Sequence, residues 1–462
     1  MMRFDVVVIG GGSAGYAAAR TAADGGAKVA IVDKGPLGGL CILRGCMPSK
    51  TLLRSSDIMA LMKRAKEFGL RATGLKASMA GINDRKKALI KEFADYRIGQ
   101  LKNPRFTLIR GRARFEDPHT IRVGSKTIGA RSFIITTGST ISAPSIPGLV
   151  DVGCITSDDA LDLRELPKSL MVLGGGPVAA ELGQFFCRLG TRTTLIQRSG
   201  HIFSACDEDV VRPIEARFRE EGMTVYTGTR LRRFTKKNNR ITAHFLHEGK
   251  ARRASAATVL QAMGRAPALA GLNLEAAGVE VEGRRIAVDS RMRTSVRHIF
   301  AAGDCVGLYE IVHIAIQQGE IAGHNALPAV REKAIDYRLR TFAAFTDPQL
   351  AVAGLNEKQC REQGIAYLAA SYPFDDHGKS LCMGETHGLV KILCDPKSGE
   401  ILGGAISGPE ASDLIHELTA VMYFRGTVQD LARIPHYHPT LAEILTYPAE
   451  ELAEQVAVRC TG

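Results

Sequence analysis

No stretch of this sequence approaches the roughly 20 consecutive apolar residues that a membrane-spanning helix needs. Nor does the N-terminus, Met1-Met2-Arg3-Phe4-Asp5, have signal-peptide architecture; it leads directly into a strand pattern. A soluble, cytoplasmic protein with no membrane span is therefore expected. Cysteine is scarce as well: ten in 462 residues are too few for a disulfide-stapled scaffold. Seven of them (Cys154, Cys187, Cys206, Cys305, Cys360, Cys382 and Cys394) stand alone in mixed or apolar surroundings and read as buried, inert thiols. The charge balance is lopsided, at +12, with clusters at Arg85-Lys86-Lys87 and over 230–237. No aromatic or motif support for nucleic-acid binding accompanies these clusters, so no nucleic-acid partner is expected. They read as a solvated surface, with attraction to acidic partners as the alternative. No metal site is expected either.

What is present begins with length. A chain of 462 residues exceeds one ordinary core, and about three domains is the starting expectation. A hydrophobic fraction of 45% with 48 glycines fits a globular α/β protein rich in tight turns. The stretch Gly38-Gly39-Leu40-Cys41-Ile42-Leu43-Arg44-Gly45-Cys46-Met47-Pro48-Ser49-Lys50 stands out, with two cysteines five positions apart. A helix beginning near Cys41 would place both sulfurs about one turn apart, within reach of a reversible disulfide. In a reducing compartment such a pair is more often catalytic than structural.

Two β-α-β units frame this stretch. Residues 4–9 form an apolar, β-branched run suited to a buried parallel strand. Gly10-Gly11-Gly12-Ser13-Ala14-Gly15 follows, then an alanine-rich helix over 16–24 and a second strand over 29–32 ending at Asp33. Gly10, Gly12 and Gly15 let the backbone approach a pyrophosphate at the helix N-terminus, and Asp33 can accept from an adenosine ribose. The second unit starts at Ser169, with a strand over 170–173, the turn Gly174-Gly175-Gly176-Pro177-Val178-Ala179 and a helix over 180–189. Its next strand, over 193–196, ends in Gln197-Arg198 and lacks an acid. Arg198 is thus placed to meet a 2′-phosphate, which points towards NADP. Two dinucleotide units imply two dinucleotides, or a duplication serving one.

Helices are expected over 51–68 and 83–102, short strands over 106–131, and a buried strand over 133–139 that reaches a glycine turn. Ile299-Phe300-Ala301-Ala302-Gly303-Asp304 reads as a short strand ending in an aspartate that can hold a sugar hydroxyl. The last part mixes strands with helices in an α+β pattern. Near its end, His436-Tyr437-His438-Pro439-Thr440-Leu441-Ala442-Glu443 places a histidine five residues before a glutamate, across a proline turn. That is an oriented acid-base pair in outline.

Taken in order over essentially the whole length, these pieces resemble the FAD-dependent pyridine nucleotide-disulfide oxidoreductases, and among them the dihydrolipoamide dehydrogenases. The C-x4-C-x-P-S-K stretch with a distant H-x-H-P-T-x-x-E carries most of the likeness. The resemblance implies an α/β fold: two Rossmann-like domains, for FAD and NAD(P), plus a C-terminal α+β dimerisation domain. The implied boundaries are 1–149 for the first part of the FAD domain, 150–268 for the NAD(P) domain, 269–337 for a central segment completing the FAD site, and 338–462 for the interface domain. It implies a homodimer in which Cys46 meets the flavin, Cys41 exchanges with substrate, and His438 of the partner subunit, oriented by Glu443, moves the proton. Lys50 and Glu181 match an ion pair beside the flavin ring. Ser13, Ala14, Lys34, Thr137, Gly138, Gly303 and Asp304 match FAD contacts, and Gly264 a further cofactor contact. Gly174, Gly176, Pro177, Val178, Ala179, Gln197 and Arg198 match NAD(P) contacts. The implied substrate is a small dithiol or disulfide, or a lipoyl-carrying protein.

The sequence also departs from that pattern. Pro177 stands where many relatives carry a residue shielding the nicotinamide pocket, and Ser204 stands at the second arginine of the NADPH-type signature. Leu40-Cys41-Ile42-Leu43-Arg44 replaces the usual Thr-Cys-x-Asn-x. NAD and NADP both remain open. The alternative activity is NADPH-dependent reduction of another disulfide or of mercuric ion. Against the mercuric reading, Cys460 has no cysteine neighbour near the C-terminus, and no metal-binding module precedes Met1.

Overall fold

The structure, a computed structural model, describes residues 1–142 and 144–461, with side chains given up to 142 and over 144–458. The side chain of Cys460 lies outside the described residues. The chain divides into two compact units. One comprises Met1–Thr51, Asn83–Ala143 and Gly264–Asp336; the other comprises Leu52–Ile82, Pro144–Met263 and Tyr337–Gly462.

The first unit is organised by a seven-stranded sheet in the order β3-β2-β1-β6-β5-β4, with β18 also paired to β6. Its strands are β1 (Met2–Ile9), β2 (Val29–Asp33), β3 (Phe106–Arg110), β4 (Ala113–Asp117), β5 (Thr120–Val123), β6 (Lys126–Ile135) and β18 (Ile299–Ala301). Strands β3, β2, β1, β6 and β18 run parallel, whereas β5 and β4 are antiparallel additions. Val6, Val7 and Val8 are all fully buried, as a parallel strand covered on both faces requires. Helix α1 (Ser13–Asp24) packs along α8 (Val312–Asn325), and α2 (Gly39–Leu43), most of α4 (Met79–Leu101) and the start of α3 (Cys46–Lys63) complete the unit. Two small ribbons, β7 (Ser139–Ile141) with β15 (Arg265–Pro267) and β16 (Val281–Glu282) with β17 (Arg285–Ile286), close its edges.

The second unit holds a parallel sheet in the order β10-β9-β8-β14, formed by β8 (Ser169–Leu173), β9 (Arg192–Ile196), β10 (Thr224–Tyr226) and β14 (Thr258–Gln261). Helices α5 (Ser157–Ala160), α6 (Pro177–Arg188) and α7 (Glu208–Glu220) flank it. An antiparallel sheet of β11 (Thr229–Lys237), β12 (Arg240–His247) and β13 (Lys250–Ala256) follows. Arg230, Arg232, Arg233, Lys236 and Lys237 are exposed on it, so the basic cluster read from the sequence is a solvated face. The C-terminal part is a five-stranded antiparallel sheet, β19-β20-β23-β22-β21, over Thr341–Ala344, Gln349–Gly354, Ile401–Gly408, Leu389–Cys394 and Leu368–Pro373 in that order. Helices α9 (Glu357–Gln363), α10 (Gly378–Met383), α11 (Ala411–Tyr423), α12 (Val428–Arg433) and α13 (Thr446–Thr461) accompany it. The expected α/β class with a C-terminal α+β part is the observed one.

One buried cation ties several of these pieces together. Arg188, at the end of α6, is 3% exposed and bonds to Asp57 of α3 (2.9 Å), Glu221 (2.7 Å) and Asp347. Gln184, one turn earlier, donates to the Asp347 carbonyl at 2.7 Å and accepts from the Asp347 N–H at 2.8 Å. Removing the guanidinium would take the shared cation from three carboxylates, leaving Arg217, 3.2 Å from Glu221 Oε1, on one of them. Arg188→Met is expected to destabilise this unit by about 3–5 kcal/mol, read as a lower denaturation midpoint at unchanged slope. A loss below about 1 kcal/mol would mean the cluster behaves as a surface salt bridge.

Candidate active site

The cysteine stretch folds differently from the single helical run expected of it. Helix α2 ends at Leu43 and α3 opens at Cys46, with Arg44 and Gly45 between them. A Cβ on Gly45 would lie 3.0 Å from Cys41 Cα and 3.1 Å from the Leu40 carbonyl, so the break is closed by the residue that has no side chain. The two half-buried sulfurs meet across this break, as free thiols sharing a hydrogen bond. Cys46 occupies the first position of an 18-residue helix, where the positive end of the dipole favours a thiolate. The hydrogen bond to Cys46 and burial push the Cys41 thiol far up, while the Arg97 guanidinium pulls it back. Ser49 Oγ donates to the Gly45 and Cys46 carbonyls at 2.9 and 3.1 Å, tightening the first turn of α3. Lys50 lies one turn along the same helix. Glu181 is buried in α6 of the other unit.

The first glycine loop is shaped for a diphosphate. Gly15 packs so closely on the Gly10 carbonyl that a Cβ there would overlap it, whereas a Cβ on Gly12 would meet nothing within 4 Å. The N-terminus of α1, with Ser13 and Ala14 in its first turn, therefore faces open space. Asp33 closes β2 as expected, its Oδ2 accepting from Gly11 N–H at 2.7 Å and its Oδ1 from Gly35 N–H at 2.6 Å. A carboxylate has further lone pairs, so it can still accept from a ribose. Lys34 is exposed beside it.

Around the opposite edge, the Thr137 hydroxyl is buried with no hydrogen-bond partner among the described residues. Gly138 (φ 71°) follows it, and Ser139 Oγ donates to Asp304 Oδ2 at 2.6 Å. Arg265 Nε in turn donates to Ser139 Oγ at 2.8 Å, next to Gly264 (φ 100°). The Gly303 N–H donates to Gln318 Oε1 at 2.8 Å. An open glycine cradle, an orphaned hydroxyl and a held aspartate are what a flavin dinucleotide needs, and the residues present fit FAD.

The second loop repeats the design with substitutions. Gly174 (φ 118°) lies against the Ala262 carbonyl, and Ala179 takes the third small position. A Cβ on Gly176 would again meet nothing. Gln197 sits against Gly175, as Asp33 does against Gly11 in the first loop, and its Oε1 accepts from Arg198 N–H at 3.0 Å. Arg198 is exposed. Pro177 opens α6 at a position where its missing N–H costs nothing and its fixed φ suits a helix. Val178 beside it is 41% exposed. These residues fit a nicotinamide dinucleotide.

In the C-terminal motif the two histidines separate. His436 Nε2 bonds to Glu417 at 2.7 Å and its Nδ1 to the Ile434 carbonyl at 2.8 Å, so both ring nitrogens are engaged. His438 Nδ1 bonds to Glu443 Oε1 at 2.9 Å, and its exposed ring leaves Nε2 towards solvent. Glu443 Oε2 accepts from the Thr440 N–H at 2.6 Å, so T-x-x-E serves as a capping box and orients the histidine at once. The Thr440 bond first, then the His438 bond, hold the Glu443 carboxyl below the usual range.

Sequence reading missed several groups here. His377, buried beside the Glu443–His438 pair, bonds Ser380 Oγ at 2.9 Å and is held below the usual histidine range by burial. Arg97, Ser139, Arg265 and Gln318 carry no local motif; only tertiary folding brings them in. Of the seven lone cysteines, Cys187, Cys305, Cys360 and Cys394 are buried, and Cys154 and Cys206 half-buried. Burial pushes Cys305 and Cys206 up to about 12. Cys382 corrects the expectation: it is exposed on short helix α10.

Comparison with known proteins places these features. Residues 4–319 match the family described as pyridine nucleotide-disulphide oxidoreductase, and residues 342–449 match its dimerisation domain. The dihydrolipoyl dehydrogenase of Thermus scotoductus is 36% identical over 98% of both chains. The mercuric reductase of Staphylococcus aureus is 35% identical over 96% of this chain and 82% of its own. Among solved structures, LpdA from Mycobacterium tuberculosis superposes with a TM-score of 0.87 at 28% identity, covering 98% of this chain and all of LpdA. The HOCl-induced flavoprotein disulfide reductase RclA from Escherichia coli, as its Cu(II) complex, gives 0.87 at 25%, covering 98% of this chain and all of RclA.

Proposed function

The chain belongs to the pyridine nucleotide-disulfide oxidoreductases, a family of flavoenzymes that use FAD and NAD(P), and from that premise we propose that it oxidises a dihydrolipoyl group or reduces the corresponding disulfide. The observation that carries this reading is a pair of unlike thiols, one at a helix N-terminus and one beside it, in a chain that also holds an exposed histidine, His438, oriented through Nδ1 by Glu443. The end-to-end match to a dihydrolipoyl dehydrogenase supports the substrate.

In the oxidising direction, a substrate thiolate attacks Cys41 Sγ of the Cys41–Cys46 disulfide. That bond breaks, a substrate–Cys41 bond forms, and Cys46 leaves as a thiolate favoured by the helix N-terminus. The second substrate thiol then attacks its own sulfur in the mixed disulfide. Its proton passes to His438 of the partner subunit, and Cys41 is released. The substrate has lost two electrons and the cysteine pair has gained them. FAD, when bound, supplies the two-electron step between the cysteine pair and NAD(P). Lys50 would stand beside it, and Asp304 would hold its sugar chain.

A steady-state assay of FAD-loaded protein, with dihydrolipoamide and NAD against lipoamide and NADPH, tests the proposal. No turnover in either direction would end it. Mercuric ion is the second reading, favoured by the Staphylococcus aureus relative. Hg(II)-dependent NADPH oxidation in place of lipoamide turnover would establish that reading.

Nucleotide choice has its own test. Arg198→Glu is expected to raise the KM for NADPH by about 10–100-fold, as loss of a charge-assisted phosphate contact does. The KM for NADH should change less than about threefold. Equal effects on both would remove Arg198 from 2′-phosphate recognition.

A further inference from the structure

We propose that the antiparallel sheet β11-β12-β13 is an electrostatic collector that speeds capture of the nicotinamide dinucleotide and favours NADPH over NADH, acting by charge at a distance rather than by contact. The inference rests on the second glycine loop as the NAD(P) site and goes beyond the activity proposed above.

Between 229 and 256 the chain places nine lysines and arginines and one acid, Glu248, so most of the whole chain's +12 resides on these three strands. Register sorts their side chains. Phe234, Ile241, Ala243, Phe245 and Ala256 pack into the core, and alternate positions face water. Arg233, His244 and Arg253 stand in one row across the three strands, and Lys237 stands opposite Arg240. A bulge between Leu231 and Arg233 gives β11 an extra residue, and Arg232 and Arg233 are both exposed. His244 is held below the usual histidine range, by burial first and then by Arg233 and Arg253. It adds no charge near pH 7, so the charge of this row is that of its arginines.

A face of one sign is costly, because like charges directly opposite on a sheet repel. Elsewhere in this unit exposed cations are answered one helical turn away: Arg212 by Glu208 at 2.9 Å and Arg219 by Glu215 at 3.3 Å. Among the described residues no carboxylate lies within ion-pair distance of any of the nine. Protection of sheet edges explains cations on the outer strands β11 and β13. It explains neither Arg240 on the central strand nor the want of interspersed acids.

Position gives the face its use. Strand β11 begins at the nucleotide loop: Thr229 Oγ1 donates to the Gln197 carbonyl at 2.8 Å, and the Gly228 N–H donates to the Ser199 carbonyl at 2.7 Å, on either side of Arg198. From Thr229 the Arg233–Arg253 row lies about 13 Å along the strands, and the Lys237–Arg240 pair about 25 Å. The farther pair is beyond contact with a phosphate held by Arg198, yet its field extends that far at low salt, where the Debye length is about 30 Å. The 2′-phosphate gives NADPH about two more negative charges than NADH. The same field therefore draws NADPH more strongly.

The test is stopped-flow binding of the fluorescent, unreactive probes etheno-NADP⁺ and etheno-NAD⁺ to the oxidised, FAD-loaded protein. Arg233→Glu/Arg253→Glu is expected to lower the association rate constant of the NADP⁺ probe about tenfold at an ionic strength of about 10 mM, and less than about twofold at about 0.5 M. Dissociation should stay within about twofold. Lys237→Glu/Arg240→Glu, farther along the sheet, should slow association about threefold, and the NAD⁺ probe should lose less than the NADP⁺ probe in both variants. Arg114→Glu/Lys126→Glu makes the same change of net charge on the sheet of the first unit and should stay within about twofold. Unchanged association in Arg233→Glu/Arg253→Glu overturns the proposal. So does an equal loss in Arg114→Glu/Lys126→Glu, a loss carried by dissociation alone, or an equal loss for both probes at low salt. If Arg233→Glu/Arg253→Glu fails to fold, Glu248→Lys is read instead. Association of the NADP⁺ probe faster by about twofold or more then upholds the proposal, and an unchanged rate overturns it. The readout uses no dithiol, so a lack of lipoamide turnover would remove the proposed substrate and leave this inference standing.

Discussion

Cys46→Ser is expected to reduce turnover of any dithiol or disulfide by about 10³-fold or more while leaving FAD bound. The expectation follows from what the two sulfurs must do. Each transfer requires one S–S bond to break as another forms, and a hydroxyl can neither join a disulfide nor leave from one. Cys46 opens α3, so its side chain is also the one the helix dipole prepares to carry charge. The substitution is close to isosteric and removes no packing from a half-buried position, so unfolding should not explain the loss. Flavin absorbance and reduction by NAD(P)H need neither thiol and should persist. Turnover above about a tenth of the parent's, with the cofactor retained, would show that the pair is not the conduit. Cys41→Ser should lose the same turnover, yet leave Cys46 at the helix N-terminus. The two variants therefore differ in the long-wavelength absorbance that a thiolate next to a flavin produces.

How far the site could be read in advance depends on how local each signal is. The two glycine loops were legible because strand, turn and helix follow one another within about thirty residues, and Asp33 lies at the end of the very next strand. The cysteine pair was legible as chemistry but not as geometry. Spacing alone gave one helix, whereas Gly45 breaks it and brings Cys41 Cα close across the gap. The spacing singled out His438 as the histidine paired with Glu443, but not that His436 is claimed by Glu417, nineteen positions away on α11. Gln318 on the Gly303 N–H, Arg265 on Ser139 and Arg97 over Tyr16 are meetings of distant segments. No periodicity in the chain announces them. The lone cysteines show the same limit: hydrophobic neighbours in sequence indicated burial for Cys305, but for Cys382 the short helix carries the side chain outward.

His438→Gln is expected to lower turnover by about 10²–10⁴-fold, the range for loss of a positioned acid-base group, with little change in substrate KM. The geometry distinguishes this from the loss of a surface residue. The His438 ring is exposed, so glutamine removes no core packing and stability should be unchanged. What disappears is Nε2, the nitrogen left over once Nδ1 is bound to Glu443. Glu443→Gln separates orientation from proton transfer. Its amide can still accept at one atom and so keep the ring in place, but the negative charge is gone. The parent carboxyl is held below the ordinary range, first by the Thr440 N–H and then by His438. It therefore stays anionic, and its contribution to stability, present above the unfolded carboxylate range, is lost only as pH falls through the lowered folded value. Removing that anion withdraws support from an imidazolium. The rate loss should be about tenfold rather than 10³-fold. A Glu443→Gln variant that turns over at the parent's rate would mean that the glutamate acts only as the helix cap its sequence position describes.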